Sequence, residues 1–228
     1  MAWGNIVPHK VDRAMSGDHE DEGPVEIAIV GDLTDSEAEL TDRLLSIAPG
    51  GEATIYFDSP GGSPYCAVSL MTLIKLRDIR ATGIVTGECS SATLWPFAAC
   101  RRRIVTPFSV MLFHPMRWQS EENVGLAEAA EWARHFGQLE QDMDALLAHL
   151  FGVPAEVMRE WINPGRYVSG RELAAAGLAE FVELDELHRV SATPLLTESK
   201  ATGTNGAATA GKERRPVKAP ARRRRRRR

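Results

Sequence analysis

Between Val25 and Phe113 the chain alternates short apolar runs of strand length with patterns of helical spacing, and glycine or proline marks most of the changes. Val25-Glu26-Ile27-Ala28-Ile29-Val30 alternates in the manner of a half-buried strand. Asp32 to Ser36 offers caps for a helix through about Ile47, Ala48-Pro49-Gly50-Gly51 stops it, and Ala53 to Phe57 supplies the next strand. Ser63 and Pro64 then open a helix with Val68, Met71, Leu73, Ile74, Leu76 and Ile79 on its apolar face. A strand over Ala81–Thr86, a short apolar helix over Ser91–Cys100, and strands at Ile104-Val105 and Val110–Phe113 extend the pattern. Strands alternating with helices predict an α/β class with a parallel sheet between helices, and chemistry in the loops at the carboxyl ends of strands.

Residues 124–150 give the strongest helical signal, with Leu126, Ala130, Ala133, Leu139, Met143 and Leu150 among its apolar positions. A helix of some 25 residues is roughly 40 Å long, more than the width of so small a domain, so part of it is expected to project and pack on another subunit. The alternative is a kinked helix inside one monomer. Pro154 opens a shorter helix through Trp161, Asn163-Pro164-Gly165 ends it, and Ser169-Gly170-Arg171-Glu172 has capping-box spacing before a further helix.

The expected organisation is a flexible segment over 1–24, one domain over 25–190 and a disordered basic tail over 191–228. Residues 1–199 carry 15 Lys/Arg against 30 Asp/Glu, while residues 200–228 carry 12 against one, so a net charge of -4 conceals an acidic body and a basic end. Seven final arginines repel one another and stay solvated; their expected contacts are nonspecific ones with nucleic acid or acidic surfaces. No run of 18 apolar residues and no signal-peptide pattern is present, so the expected location is cytoplasmic, with no membrane span.

Acyl-transfer chemistry needs an activated nucleophile and donors for a developing oxyanion. Ser91 lies in Gly87-Glu88-Cys89-Ser90-Ser91-Ala92, His114 in Leu112-Phe113-His114-Pro115, and a glycine turn in Asp58-Ser59-Pro60-Gly61-Gly62-Ser63. With Ser91 just past a strand, the amides of Gly62 and Ala92 can serve one oxygen, and the glycines permit close approach. Taken singly, these residues also read as an ordinary cap, a core histidine and a turn. Cys66, Cys89 and Cys100 lack metal or redox spacing and read as buried thiols, with Cys89 a rival nucleophile. No acid is evident.

Residues 54–115 closely resemble the proteolytic subunit of the ATP-dependent Clp protease, the ClpP-like branch of the crotonase-like fold. The resemblance rests on Ile55 to Ser63, Gly87 to Ser91 with Ala98-Ala99-Cys100 behind it, and Val110 to Pro115, with a weaker echo over Arg166 to Leu178. It implies a repeated β-β-α superhelix with a long projecting handle helix, and a serine-type endopeptidase hydrolysing unfolded or short peptides through an acyl-enzyme. It assigns the nucleophile to Ser91, the base to His114, and the oxyanion donors to Gly62 and Ala92. It also implies homo- or hetero-oligomeric rings, peptide bound by strand addition along Ser63–Tyr65, an entrance shaped by Met116–Trp118, no cofactor in this subunit, and ATP used, if at all, by an AAA+ unfoldase partner. Two positions depart from the family. Thr93 stands where a glycine is usual, and Gly165 stands where the acid falls, so no side chain there can orient the imidazole. Three readings remain open: Asn163 orients His114, the site runs as a Ser–His dyad, or the chain is a catalytically reduced ring subunit beside an active paralogue. Under the dyad reading, Gly165→Asp is expected to raise turnover.

Overall fold

The computed structural model describes residues 23–119 and 123–190, so the expected basic tail and nearly all of the expected N-terminal segment lie outside the described residues. β1 (Val25–Asp32) leads into α1 (Leu33–Ser46), β2 (Glu52–Gly61), α2 (Pro64–Leu76) and β3 (Arg80–Cys89). A 3₁₀ turn (Ser91–Thr93) opens α3 (Leu94–Ala99), followed by β4 (Arg102–Val105) and β5 (Val110–Phe113). Then come α4 (Leu126–Phe151), α5 (Ala155–Ile162), β6 (Arg166–Ser169), α6 (Gly170–Ala175), β7 (Glu180–Phe181) and a 3₁₀ stretch (Leu184–Arg189).

Local chemistry explains the element ends. Asp32 caps α1 by accepting the Thr34 N–H at 2.8 Å. Pro64 occupies the first turn of α2, where its missing N–H costs nothing, but the Ser63 hydroxyl makes no cap; the Ser63 N–H instead donates to Thr34 Oγ1 at 3.0 Å and ties the starts of α1 and α2 together. The capping box of Ser169 and Glu172 forms in both directions.

β1, β2, β3, β4 and β7 form a parallel sheet in that order. β5 leaves this path: it meets the end of β3 through Glu88 opposite Val110, and pairs antiparallel with β6 from Val110 opposite Ser169 to Phe113 opposite Arg166. The all-parallel sheet read from the alternation is thus incomplete, because β6 is only four residues long and shows no periodicity of its own. Phe57, Phe97 and Phe113 have no exposed surface; Phe57 meets Phe97 edge to face at 5.4 Å, and Phe113 meets Trp161 at 5.2 Å. Each buried ring contributes about 1.5–3 kcal/mol by leaving water. Phe151 lies 6.4 Å from both Phe97 and Phe113, so these rings pack β2, α3 and β5 together.

α4 runs for 26 residues, about 39 Å. Its buried residues, Met143, Leu147, Ala148 and Phe151, all lie in the second half, which Trp95 fastens by donating from Nε1 to the Met143 carbonyl at 3.0 Å. The first half begins with the largely exposed Leu126.

Candidate active site

The pairings of β1 with β2 and of β2 with β3 both slip near the carboxyl ends, between Val30 and Asp32 and between Phe57 and Ser59. Ser59 is fully buried in this irregularity; its Oγ donates to the Gly31 carbonyl at 2.5 Å and accepts the Gly61 N–H at 3.2 Å. The strand end therefore stays rigid although its ladder is broken. Gly61 and Gly62 have φ of 116 and 145, conformations that side chains rarely adopt. A Cβ on Gly61 would stand 2.7 Å from the Ser91 Cβ, and one on Gly62 would stand 2.5 Å from Asp32 Oδ1. Gly61 is thus required for close approach to the serine, and Gly62 for passage over the start of α1.

Ser91 itself has φ of 55, a left-handed conformation that costs an L-residue about 1–2 kcal/mol. Its neighbours hold it there. The Ser90 N–H donates to the Ser59 carbonyl at 3.0 Å, and the buried Thr93 hydroxyl donates to the Ser90 carbonyl at 2.5 Å. The departure from glycine at Thr93 therefore adds a bond under the turn. Ser90 Oγ accepts the Leu112 N–H at 3.0 Å, which ties the serine turn to β5, the strand that ends one residue before His114.

His114 Nε2 lies 2.9 Å from Ser91 Oγ, and His114 Nδ1 lies 2.6 Å from the carbonyl oxygen of Pro115. A carbonyl oxygen only accepts, so Nδ1 carries the hydrogen and Nε2 presents its lone pair to the serine O–H. This is the tautomer a general base requires.

Asn163 makes no hydrogen bond to His114. It caps the end of α5, its side chain is exposed, and among the described residues it makes no side-chain hydrogen bond. Gly165 does reach His114: its φ is 114, and a Cβ there would stand 3.2 Å from both the His114 Cβ and the Phe113 carbonyl oxygen. The loop backbone packs against His114 at this point. The partner of Nδ1 is the Pro115 carbonyl, a backbone acceptor that leaves no mark in residue type.

Gly62, Ser91, Ala92 and His114 line a cleft of about 150 Å³. Trp95, Phe113, Leu147 and Ile162 make its other walls apolar, and Pro64, Met116 and Arg117 also border it. Trp118 turns away from this cleft and stacks on Phe136 of α4 at 3.7 Å, beside a larger cavity of about 450 Å³ that holds neither Ser91 nor His114. Cys89 is fully buried, and burial pushes its thiol well above the ordinary range. A cysteine nucleophile needs the thiolate, which this environment suppresses.

The sheet and the pair at its strand ends define a class: an α/β protein with a histidine-bonded serine facing an apolar cleft. Residues 25–185 match the family model for Clp protease, and the chain belongs to that family. Among solved structures it is similar to an asparagine-to-aspartate mutant of ClpP1 from Listeria monocytogenes, with 20% identity and a TM-score of 0.61, over 71% of this chain and 94% of that one. That likeness is one of fold. No curated protein sequence matches this chain.

Proposed function

We propose that the protein is a serine-type endopeptidase that hydrolyses unfolded or short peptides through an acyl-enzyme. The observation that carries this reading is the 2.9 Å contact between Ser91 Oγ and His114 Nε2, with Nδ1 already engaged as a donor. Ser91 Oγ attacks the peptide carbonyl carbon as Nε2 takes its proton. The oxyanion is received by the amides of Gly62 and Ala92, and each such donor is worth on the order of 100-fold in rate. The imidazolium then protonates the departing amine as the C–N bond breaks. A water molecule, deprotonated by Nε2, releases the acid and restores Ser91. The walls of Trp95, Phe113, Leu147 and Ile162 suit an apolar side chain on the acyl side of the cut bond.

The reaction calls for no cofactor in this subunit. Family membership supports homo- or hetero-oligomeric rings built partly on the exposed half of α4, with ATP used by an AAA+ unfoldase partner. Contacts of the basic tail with nucleic acid or acidic surfaces belong to the proposal as well. Among the described residues no helix is long and apolar enough to cross a membrane.

The second reading, a catalytically reduced ring subunit beside an active paralogue, is favoured by one observation: neither Asn163 nor Gly165 places an acid on the histidine. Turnover of a fluorogenic peptide with an apolar residue before the cleaved bond separates the two. The peptidase reading expects turnover by the isolated assembled protein and a loss of at least about 100-fold in His114→Ala. Turnover only after a paralogue is added would favour the reduced subunit.

A further inference from the structure

The peptide unit between Pro115 and Met116 is engaged at both ends. Its carbonyl oxygen lies 2.6 Å from His114 Nδ1, and its N–H donates to Glu140 Oε1 at 2.9 Å. Glu140 is half-buried in the middle of α4, 24 residues away in sequence; Met116 borders the cleft, and Glu140 borders the larger cavity beside Trp118. We propose that Glu140 is the positioning residue that replaces the missing acid, acting on His114 through the Pro115–Met116 peptide group. This rests on the Ser91–His114 reading.

The physics is that of coupled hydrogen bonds. An amide N–H that donates to a carboxylate shifts electron density onto its own carbonyl oxygen, so each bond in the chain strengthens the next. The oxygen facing Nδ1 thereby becomes a stronger acceptor, and it fixes the ring orientation and tautomer as a directly bonded acid would. When the imidazolium forms, the negative charge of Glu140 stabilises it from one peptide away. The same contact holds the loop after β5 onto α4, so the base and the helix move together.

Other charges surround the link. Asp144 follows Glu140 by one turn of α4; desolvation first, and then the Glu140 charge, raise its carboxyl to about 6. Arg159 of α5 opposes that rise, and Arg117 borders the cleft. Asp144→Asn removes the neighbour that itself titrates near the working range and gives the reference background for a pH profile.

The test is Glu140→Gln in the full-length assembled protein, which keeps the side-chain shape and an oxygen able to accept the Met116 N–H but removes the charge. Peptide turnover is measured from pH 5 to 9, with Glu140→Asp as the charge-retaining comparison. The expected result for Glu140→Gln is a fall of about tenfold in kcat with KM unchanged, and an acid limb displaced to lower pH. Glu140→Asp is expected to keep the acid limb in place with a smaller fall in kcat. If Glu140→Gln fails to assemble, Glu140→Asp carries the test alone: a lowered kcat with an unmoved limb supports the link, and a wild-type kcat overturns it. A Glu140→Gln enzyme with wild-type kcat and limb overturns the proposal, as does a rise in KM with the limb unmoved, which marks a purely structural contact. Fluorophosphonate labelling of the wild-type protein keeps the failures apart: a Ser91 adduct with an indifferent Glu140→Gln sinks this proposal only, whereas no adduct in the assembled wild type sinks the dyad beneath it.

Discussion

Gly61→Ala tests whether the glycine turn is built to let its backbone lie against Ser91, the proposed nucleophile. At φ of 116 an alanine carries a strain of about 1–3 kcal/mol. Its Cβ would stand 2.7 Å from the Ser91 Cβ and 3.1 Å from the Ala92 nitrogen, whereas ordinary contact begins near 3.4 Å, so relief needs a shift of about 0.7 Å. Overpacking of this kind adds about 1–3 kcal/mol. The atoms that must yield are the Ser91 turn and the Ala92 amide, the proposed nucleophile and oxyanion donor, and a misplacement approaching an ångström costs on the order of 100-fold in rate. Gly177→Ala is the comparison: that glycine has φ of 75 with nothing within 4 Å of a Cβ, so only backbone strain applies. Thermal denaturation and fluorophosphonate labelling rates are measured for both. Gly61→Ala should lose more stability than Gly177→Ala and label about 100-fold more slowly. A Gly61→Ala protein that labels at the wild-type rate and melts with Gly177→Ala would refute the reasoning.

Asn163→Ala should change kcat/KM less than about twofold, since the exposed side chain makes no bond to His114; a loss above tenfold in peptide turnover would return it to the site. Gly165→Asp should lower labelling rather than restore a triad, because φ of 114 and the 3.2 Å approach to His114 make the new side chain push on the base. For Asp144, a folded-state value of about 6 against an ordinary 3.8 means that the folded state binds the extra proton between those values, so its contribution falls as pH rises through that window. Asp144→Asn should therefore gain stability relative to wild type in melts at pH 7 but not at pH 4. Burial raises the thiols of Cys66 and Cys100 to about 11 and about 12 and Cys89 further, so all three should resist a disulfide reagent at pH 8 until the protein is denatured.

The alternation from Val25 to Phe113 and the caps at Asp32, Pro64 and Ser169 made the α/β fold legible, because hydrophobic period and capping chemistry are written in residue type. The pairing of Ser91 with His114 was legible as well, through the segments that resemble the Clp protease family. β6 was not: four residues cannot display a period, and its antiparallel pairing depends on the loop that brings it to β5. Nor was the partner of Nδ1 legible. Residue type points to Asn163 as an orienting side chain and shows only a glycine at 165, whereas Nδ1 meets the Pro115 carbonyl, and the Met116 N–H of the same peptide unit meets Glu140 of a helix whose pattern displays its apolar face. Backbone groups have no letter in a sequence, and a contact across 24 residues requires the packing of α4 to be known first.

The most direct measurement is the intact mass of the assembled protein after fluorophosphonate treatment, for wild type, Ser91→Ala and His114→Ala. An activated Ser91 predicts one adduct per chain in wild type, none in Ser91→Ala, and strongly slowed labelling in His114→Ala. No adduct in folded, assembled wild-type protein, or an adduct that persists in Ser91→Ala, would contradict the assignment of Ser91 and His114 as the reactive pair.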